Sequence, residues 1–253
     1  MASRSLTFLL LCALFGLCTQ ARAEQWVGVY IKESASQAID RREYWDDFHA
    51  NLEQRWDDGY AITAIEYAAG QWVGVFNERS VEQAFNTDGN WSEFRTSFKD
   101  RWDQGYAMTS LAYGEGMWVA FYTRENRNQA IDFRTDFNEF EKNYGDRWSQ
   151  DYVMTSVEYG EGRWVGVFDK SRAEQAIDTR DSIGRFRTNY RERWDGGYLM
   201  TDVEFGSGTW IGLFSESNDQ QRIQVSESWS DFRRDFKQKW DEGYIMTSIA
   251  WRR

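Results

Sequence analysis

The sequence predicts an α+β repeat protein: a closed five-fold toroid or propeller of five 46-residue ββαβ units, its seam closed by the first and last strands. Three observations carry that expectation. Trp26, Trp72, Trp118, Trp164 and Trp210 stand 46 residues apart, and Trp56, Trp102, Trp148, Trp194 and Trp240 keep the same interval. Five such units fill Glu24 to Arg253 with no linker or insertion, so residues 24–253 read as a single domain. The array begins with one half of a hairpin, "QWVGVY", and ends with the other, "YIMTSIAW". An open array would expose both as apolar edges and would normally wear polar caps, and units one and five have none.

Each unit divides into four pieces. "QWVGVF" (71–76) alternates Trp, Gly and Phe with two valines, the period of a strand. Gly28, Gly74, Gly166 and Gly212 in this piece allow close backbone approach, expected near a crowded axis, and Ala120 is the one enlargement. A short strand follows, "QAFNT" (83–87), with "QAID" in three sister units. The third piece places apolar residues at i, i+4 and i+8 (Phe48, Leu52, Trp56; Phe94, Phe98, Trp102; Phe140, Tyr144, Trp148), the stripe of a helix. Its expected N-caps are Asp46, Ser92, Asn138, Gly184 and Ser230. Gly59, Gly105, Gly197 and Gly243 stop it, with Asp151 in the third unit. The fourth piece, "YAITAIEY", is a strand that a tight "GEG" or "GSG" turn joins to the next unit's first strand. The competing architecture is a five-bladed propeller of four-stranded blades, with the third piece as loop and strand.

Residues 1–23 read as a secretory signal peptide: Arg4, the apolar run Leu6–Cys18 and the "ARA" site ending at Ala23. The run of about 13 residues is short of the roughly 20 that span a bilayer, so a secreted or periplasmic product without a membrane span is expected. Both cysteines, Cys12 and Cys18, lie in the leader, leaving the remainder without thiol, disulfide or Cys ligand. Thirty basic against 41 acidic residues, a formal net charge of −11, argue against a nucleic-acid partner. Proline is absent.

The phrase "RWDxGYxxTS" followed by "YGxGxWV" and a Gln-bearing short strand is similar to the repeat of a domain of unknown function. That domain follows the catalytic domain in plant casein-kinase-1-like kinases and occurs alone in bacterial proteins. The resemblance covers Glu24 to Arg253 and implies a propeller-like fold with interaction duty and no known active site. The five-fold ββαβ order also resembles the pentein fold of guanidine-modifying enzymes. Those enzymes use a Cys nucleophile with a His; here no Cys follows the leader and His49 is the one histidine, so the resemblance implies a non-catalytic toroid.

No catalytic constellation is expected. No Ser stands in a G-x-S-x-G elbow, no His spacing suits a metal, and "GEG" is a turn rather than a phosphate loop. His49 takes a variable helix position held by Arg95, Glu141, Arg187 and Arg233 in sister units. Asp57, Asp103, Asp195 and Asp241 read as helix-end residues bonding the turn backbone. Glu66, Glu158 and Glu204 could face a central pore, in an acidic ring broken by Ala112 and Ala250. Two polar positions recur in all five units. Thr63, Thr109, Thr155, Thr201 and Thr247 lie mid-strand. Gln37, Gln83, Gln129, Gln175 and Gln221 open the short strand, either as inter-unit braces or as repeated ligand-binding residues. The expectation is an exported, monomeric, non-enzymatic binding or interaction module for a protein or glycan ligand, with no cofactor or metal. The alternatives are a lectin with repeated sites and, from another class, a carboxylate-based hydrolase.

Overall fold

A computed structural model describes residues 24–253; the leader expected at 1–23 lies outside the described residues. Twenty elements repeat one order five times. Unit one is β1 (Gln25–Lys32), β2 (Gln37–Arg42), α1 (Trp45–Asp57) and β3 (Tyr60–Ala68). Unit two is β4 (Gln71–Glu78), β5 (Gln83–Asp88), α2 (Trp91–Asp103) and β6 (Tyr106–Gly114). Unit three is β7 (Met117–Arg124), β8 (Gln129–Arg134), α3 (Phe137–Trp148) and β9 (Tyr152–Gly160). Unit four is β10 (Arg163–Lys170), β11 (Gln175–Arg180), α4 (Ile183–Asp195) and β12 (Tyr198–Gly206). Unit five is β13 (Thr209–Glu216), β14 (Gln221–Ser226), α5 (Trp229–Asp241) and β15 (Tyr244–Arg252). The helices exclude four-stranded blades.

The strands form five antiparallel three-stranded sheets, each shared between two units. In the order β2-β4-β3, the middle strand comes from unit two and both flanks from unit one. The short strand thus pairs with the next unit's first strand, not with its own. The fifth sheet, β14-β1-β15, repeats the pattern with the first strand of the chain as its centre. First and last strands are therefore hydrogen-bonded neighbours, which suggests closure of the array. No sheet closes on itself: the inner strands β3, β6, β9, β12 and β15 pack side by side, and β15 packs against β3, while the ladders stay within each sheet.

The aromatic phrase of the repeat is a cross-strand pair. Tyr67 faces Trp72, Tyr113 faces Trp118 and Tyr159 faces Trp164, with ring centroids 4.8–4.9 Å apart. Trp251 faces Trp26 in the same register across the ends of the chain. Trp26, Trp72, Trp118, Trp164 and Trp210 are fully buried. Such pairs stabilise a sheet by up to about 1 kcal/mol each beyond area burial. The joining turns have positive φ at both central residues (Ala69–Gly70, Glu115–Gly116, Glu161–Gly162, Ser207–Gly208), the twist that matches flanking strands.

Two local expectations are corrected. The N-caps are Tyr44, Asn90, Asp136, Ser182 and Ser228, two residues before the expected Asp46, Ser92, Asn138, Gly184 and Ser230. The first helical residue, Trp45, Trp91, Phe137, Ile183 or Trp229, extends the apolar stripe backwards, and Trp91 lies 5.2 Å from Phe94. The side-chain oxygens of Asn90, Asp136 and Ser228 accept hydrogen bonds from backbone N–H groups; the side chains of Tyr44 and Ser182 make no such bond. The strand-one glycines, in turn, lie on the middle strand of each sheet, away from the centre. A Cβ at Gly74 would meet the Phe76 ring at 2.8 Å and Phe48 at 2.7 Å, so glycine makes room for aromatic rings. Gly59, Gly105, Gly197 and Gly243 end their helices at positive φ as expected, and Asp151 takes φ 61 in unit three.

Candidate functional site

Two places gather side chains that break the repeat: a central cavity, and grooves at the seams between units. The central cavity follows from an irregularity shared by the inner strands. Opposite β4, the register of β3 skips Thr63; Thr109 and Thr201 are skipped likewise. The recurring threonine is thus a β-bulge residue, and the Oγ1 of Thr63, Thr109, Thr155 and Thr247 donates to a carbonyl of the middle strand at 3.3–3.4 Å.

Beyond the bulge, alternate side chains point to the centre. They line a cavity of about 100 Å³ to which all five inner strands contribute. One layer holds Ala64, Ser110, Ser156, Asp202 and Ser248; the next includes Glu66, Glu158 and Glu204. The acidic ring expected from sequence is present with its two gaps. These side chains replace the ladder missing between inner strands: Ile65 N–H donates to Ser110 Oγ, Val157 N–H to Asp202 Oδ2, and Tyr113 N–H to Glu158 Oε1, at 2.9–3.1 Å.

Glu66, Glu158 and Glu204 are 8%, 5% and 5% exposed, and each offers an oxygen within 4.8 Å of the others. No Lys, Arg or His lines the cavity among the described residues. Burial, reinforced by the Asp202 charge, pushes the Glu66 carboxyl up to about 8. Burial, and then the charge of Glu66, raises Glu158; burial, and then Glu158, raises Glu204. Burial lifts Asp202 to about 6 against the hydrogen bond from Ser248. Three carboxylates so close and so dry cannot all ionise without a compensating cation. An all-oxygen set of this span suits a hard ion such as calcium, whose ligands sit at roughly 2.3–2.6 Å.

The glutamines sit between units. Gln83 Oε1 accepts Ile62 N–H at 2.9 Å while its Nε2 donates to Ile62 O at 2.8 Å. Gln129, Gln175 and Gln221 hold Met108, Met154 and Met200 in the same two-point clasp. Gln37 clasps Met246, joining unit one to unit five. In Gln37 and Gln129 a further hydrogen bond, to Asn77 or Asp169, occupies the amide nitrogen as well. The bracing alternative therefore describes the geometry of all five amides, and the backbone takes the groups a ligand would need. The Asp of "QAID" and the Arg of "RWD" also meet: Arg55 Nε lies 2.6 Å from Asp40, and Arg147 and Arg193 pair with Asp132 and Asp178. Of the helix-end acids, Asp103 and Asp241 pair with Lys99 and Lys237 one turn back rather than bonding the turn backbone. His49, at the variable helix position, is half-buried with its ring 4.9 Å from Phe85.

The seam grooves lie between the helix of one unit and the short strand of the next. The groove between α5 and β2 encloses about 620 Å³ and is bordered by Trp229, Phe236, Trp240 and Arg233. Its counterpart between α4 and β14 encloses about 280 Å³. The helix-end tryptophan forms part of each wall. Trp102 and Trp240 are 42% exposed, yet their Nε1 atoms donate to Arg127 O and Ala35 O at 3.1 Å, which fixes the indoles. Sequence reasoning used these residues for the helix stripe and missed that their outer faces stay open. A comparison with protein-family models and with curated proteins finds no match, and no family is identified for the chain.

Proposed function

We propose that the chain is an exported, non-enzymatic binding module, a closed five-fold toroid whose ligand lies in the grooves between units. The observation that supports this reading is the exposed Trp240 indole in the α5–β2 groove, held by its hydrogen bond to Ala35 O and flanked by Arg and Lys side chains. A flat aromatic surface beside polar groups is the chemistry that stacks a sugar ring and bonds its hydroxyls. A glycan is thus favoured over a protein ligand. The central cavity is too small for a polymer and its inward hydrogen bonds serve strand–strand contacts, so it reads as part of the framework.

A glycan array tests the reading, followed by titration of hits with Trp240→Ala and Trp194→Ala. Binding that falls in both variants, with more than one site per chain, is expected. An array without hits together with capture of a purified protein partner would replace the glycan by a protein. Turnover of a bound glycan, lost on changing a single carboxylate, would overturn the non-enzymatic reading.

A further inference from the structure

The five seams share a frame but not a surface. On α4, Arg187 and Arg191 stand one turn apart at the groove against β14. The equivalent pairs are His49 and Glu53 on α1, Arg95 and Lys99 on α2, Glu141 and Gly145 on α3, and Arg233 and Lys237 on α5. Lys99 and Lys237 are each paired with an aspartate. Arg187 and Arg191 have no carboxylate within ion-pairing distance among the described residues. Arg222 supplies a third guanidinium where units one to four have alanine at Ala38, Ala84, Ala130 and Ala176. It lies 5.6 Å from the Trp194 ring and 5.4 Å from the Tyr244 ring, and Nη1 donates to Gln221 O at 2.8 Å. Its planar fork is therefore held in place with other N–H groups left over.

A second observation concerns Tyr190, which also lines this groove. It is 7% exposed, and its hydroxyl is buried without a hydrogen-bond partner among the described residues. Of the sister positions, Leu52, Phe98 and Phe236 carry no hydroxyl and Tyr144 does. An unpaired buried hydroxyl is destabilising, and this one shares its groove with Arg187, Arg191 and Arg222 in an otherwise acidic molecule. Asp195 is the one acid of the lining and offers an acceptor for a neutral hydroxyl.

We propose that the α4–β14 groove binds an acidic sugar residue of the uronate type. Trp194 stacks the ring, Arg187, Arg191 and Arg222 take the carboxylate, and the Tyr190 hydroxyl bonds a sugar oxygen. A carboxylate matches the guanidinium fork with two parallel hydrogen bonds. Single exposed ion pairs are worth little; convergence of three guanidinium groups on one concave site gives the preference. The chain's net charge of −11 repels long polyanions, so a short oligomer is the better ligand. This proposal rests on the carbohydrate-binding reading and adds charge selectivity at one seam.

The test is calorimetric titration with hexagalacturonate and, at equal length, uncharged maltohexaose. The expected result is binding of hexagalacturonate that weakens with added salt. It should fall about tenfold or more in the double variant Arg187→Glu/Arg191→Glu and measurably in Tyr190→Phe. The Arg95→Glu/Lys99→Glu variant on α2 should bind as the parent does. All these positions are exposed except Tyr190, where removal of an unpaired hydroxyl leaves the packing intact, and unchanged melting temperatures verify folding. No binding of hexagalacturonate, equal loss in the α2 and α4 variants, or equal affinity for maltohexaose would overturn the proposal. In the last case the carbohydrate reading would stand without the charge preference.

Discussion

The centre and the rim of the molecule break the same symmetry with opposite charge. At the centre, Glu66, Glu158 and Glu204 converge without a basic side chain in the cavity. At the rim, Arg187 and Arg191 stand in a groove without an acid paired to them. The two departures have different costs. A carboxylate in a dry cavity must hold a proton or a cation, so its substitution alters the stability of the whole array. An exposed arginine remains hydrated and can be exchanged at almost no cost in folding. What the repeat tolerates at the rim is a change of surface charge; what it tolerates at the centre is a change of protonation.

The largest effect expected from breaking the frame is at the inter-unit clasp. Gln129→Leu leaves the buried N–H and C=O of Met108 unpaired and should cost about 4 kcal/mol, read by urea denaturation. Gly160→Ala should follow at about 3 kcal/mol, because its Cβ would come within 2.2 Å of Tyr113 Cβ and 2.8 Å of Trp118. By contrast, Gly145→Ala on α3 meets nothing within 4 Å and should stabilise by about 1 kcal/mol through helix propensity.

The central carboxyls give the next effect, in the dependence of stability on pH. Glu66 loses its proton near 4.5 in the unfolded chain and at about 8 in the folded one, with Glu158 and Glu204 shifted in the same direction. Between those values the folded state holds protons that the unfolded chain has released. The favourable contribution is complete below about pH 4.5 and is lost as pH rises through the folded values. The melting temperature should therefore fall between pH 5 and 8. The triple variant Glu66→Gln/Glu158→Gln/Glu204→Gln should flatten that fall and be the more stable protein at pH 8. A parent protein whose melting temperature is level across the range would show that the centre carries no such proton linkage.

How far the sequence speaks depends on what a position must do. The 46-residue interval, the helix stripe through Phe48 and Leu52, and the pairing of Trp26 with Trp251 follow from periodicity and from the need to cover an edge. The acidic layer was legible too, since Glu66, Glu158 and Glu204 occupy one register position. Three things were not. The swap that pairs β2 with β4 depends on contacts 30 to 40 residues apart, between strands that look alike. The helix start was misplaced because Asp46 and Ser92 are residue types that favour the N-cap, whereas packing makes the aromatics before them, Trp45 and Trp91, the first helical residues. The bulge at Thr63 leaves no mark in an alternating pattern, as threonine suits regular strands and bulges equally. The candidate groove was invisible for a related reason: Trp194 obeys the helix stripe, and only the structure shows that its indole also lines a groove against the next unit.

The smallest effects refine the rim. Trp240→Ala removes a half-exposed indole and its hydrogen bond to Ala35 O, and should cost about 1 kcal/mol while abolishing ligand binding at that groove. Asp151→Gly is expected to change stability least of all. At φ 61 an aspartate pays a steric cost that glycine does not, worth about 1 kcal/mol. Its carboxylate lies 3.3 Å from Arg172 and 3.9 Å from Lys170, both well exposed, so the lost ion pairs offset only part of the gain. Thermal denaturation should show a rise of a degree or two. A fall instead would mean that those surface pairs hold the end of α3 more firmly than exposed charges ordinarily do, and that the third unit's departure from glycine is a stabilising feature of the rim.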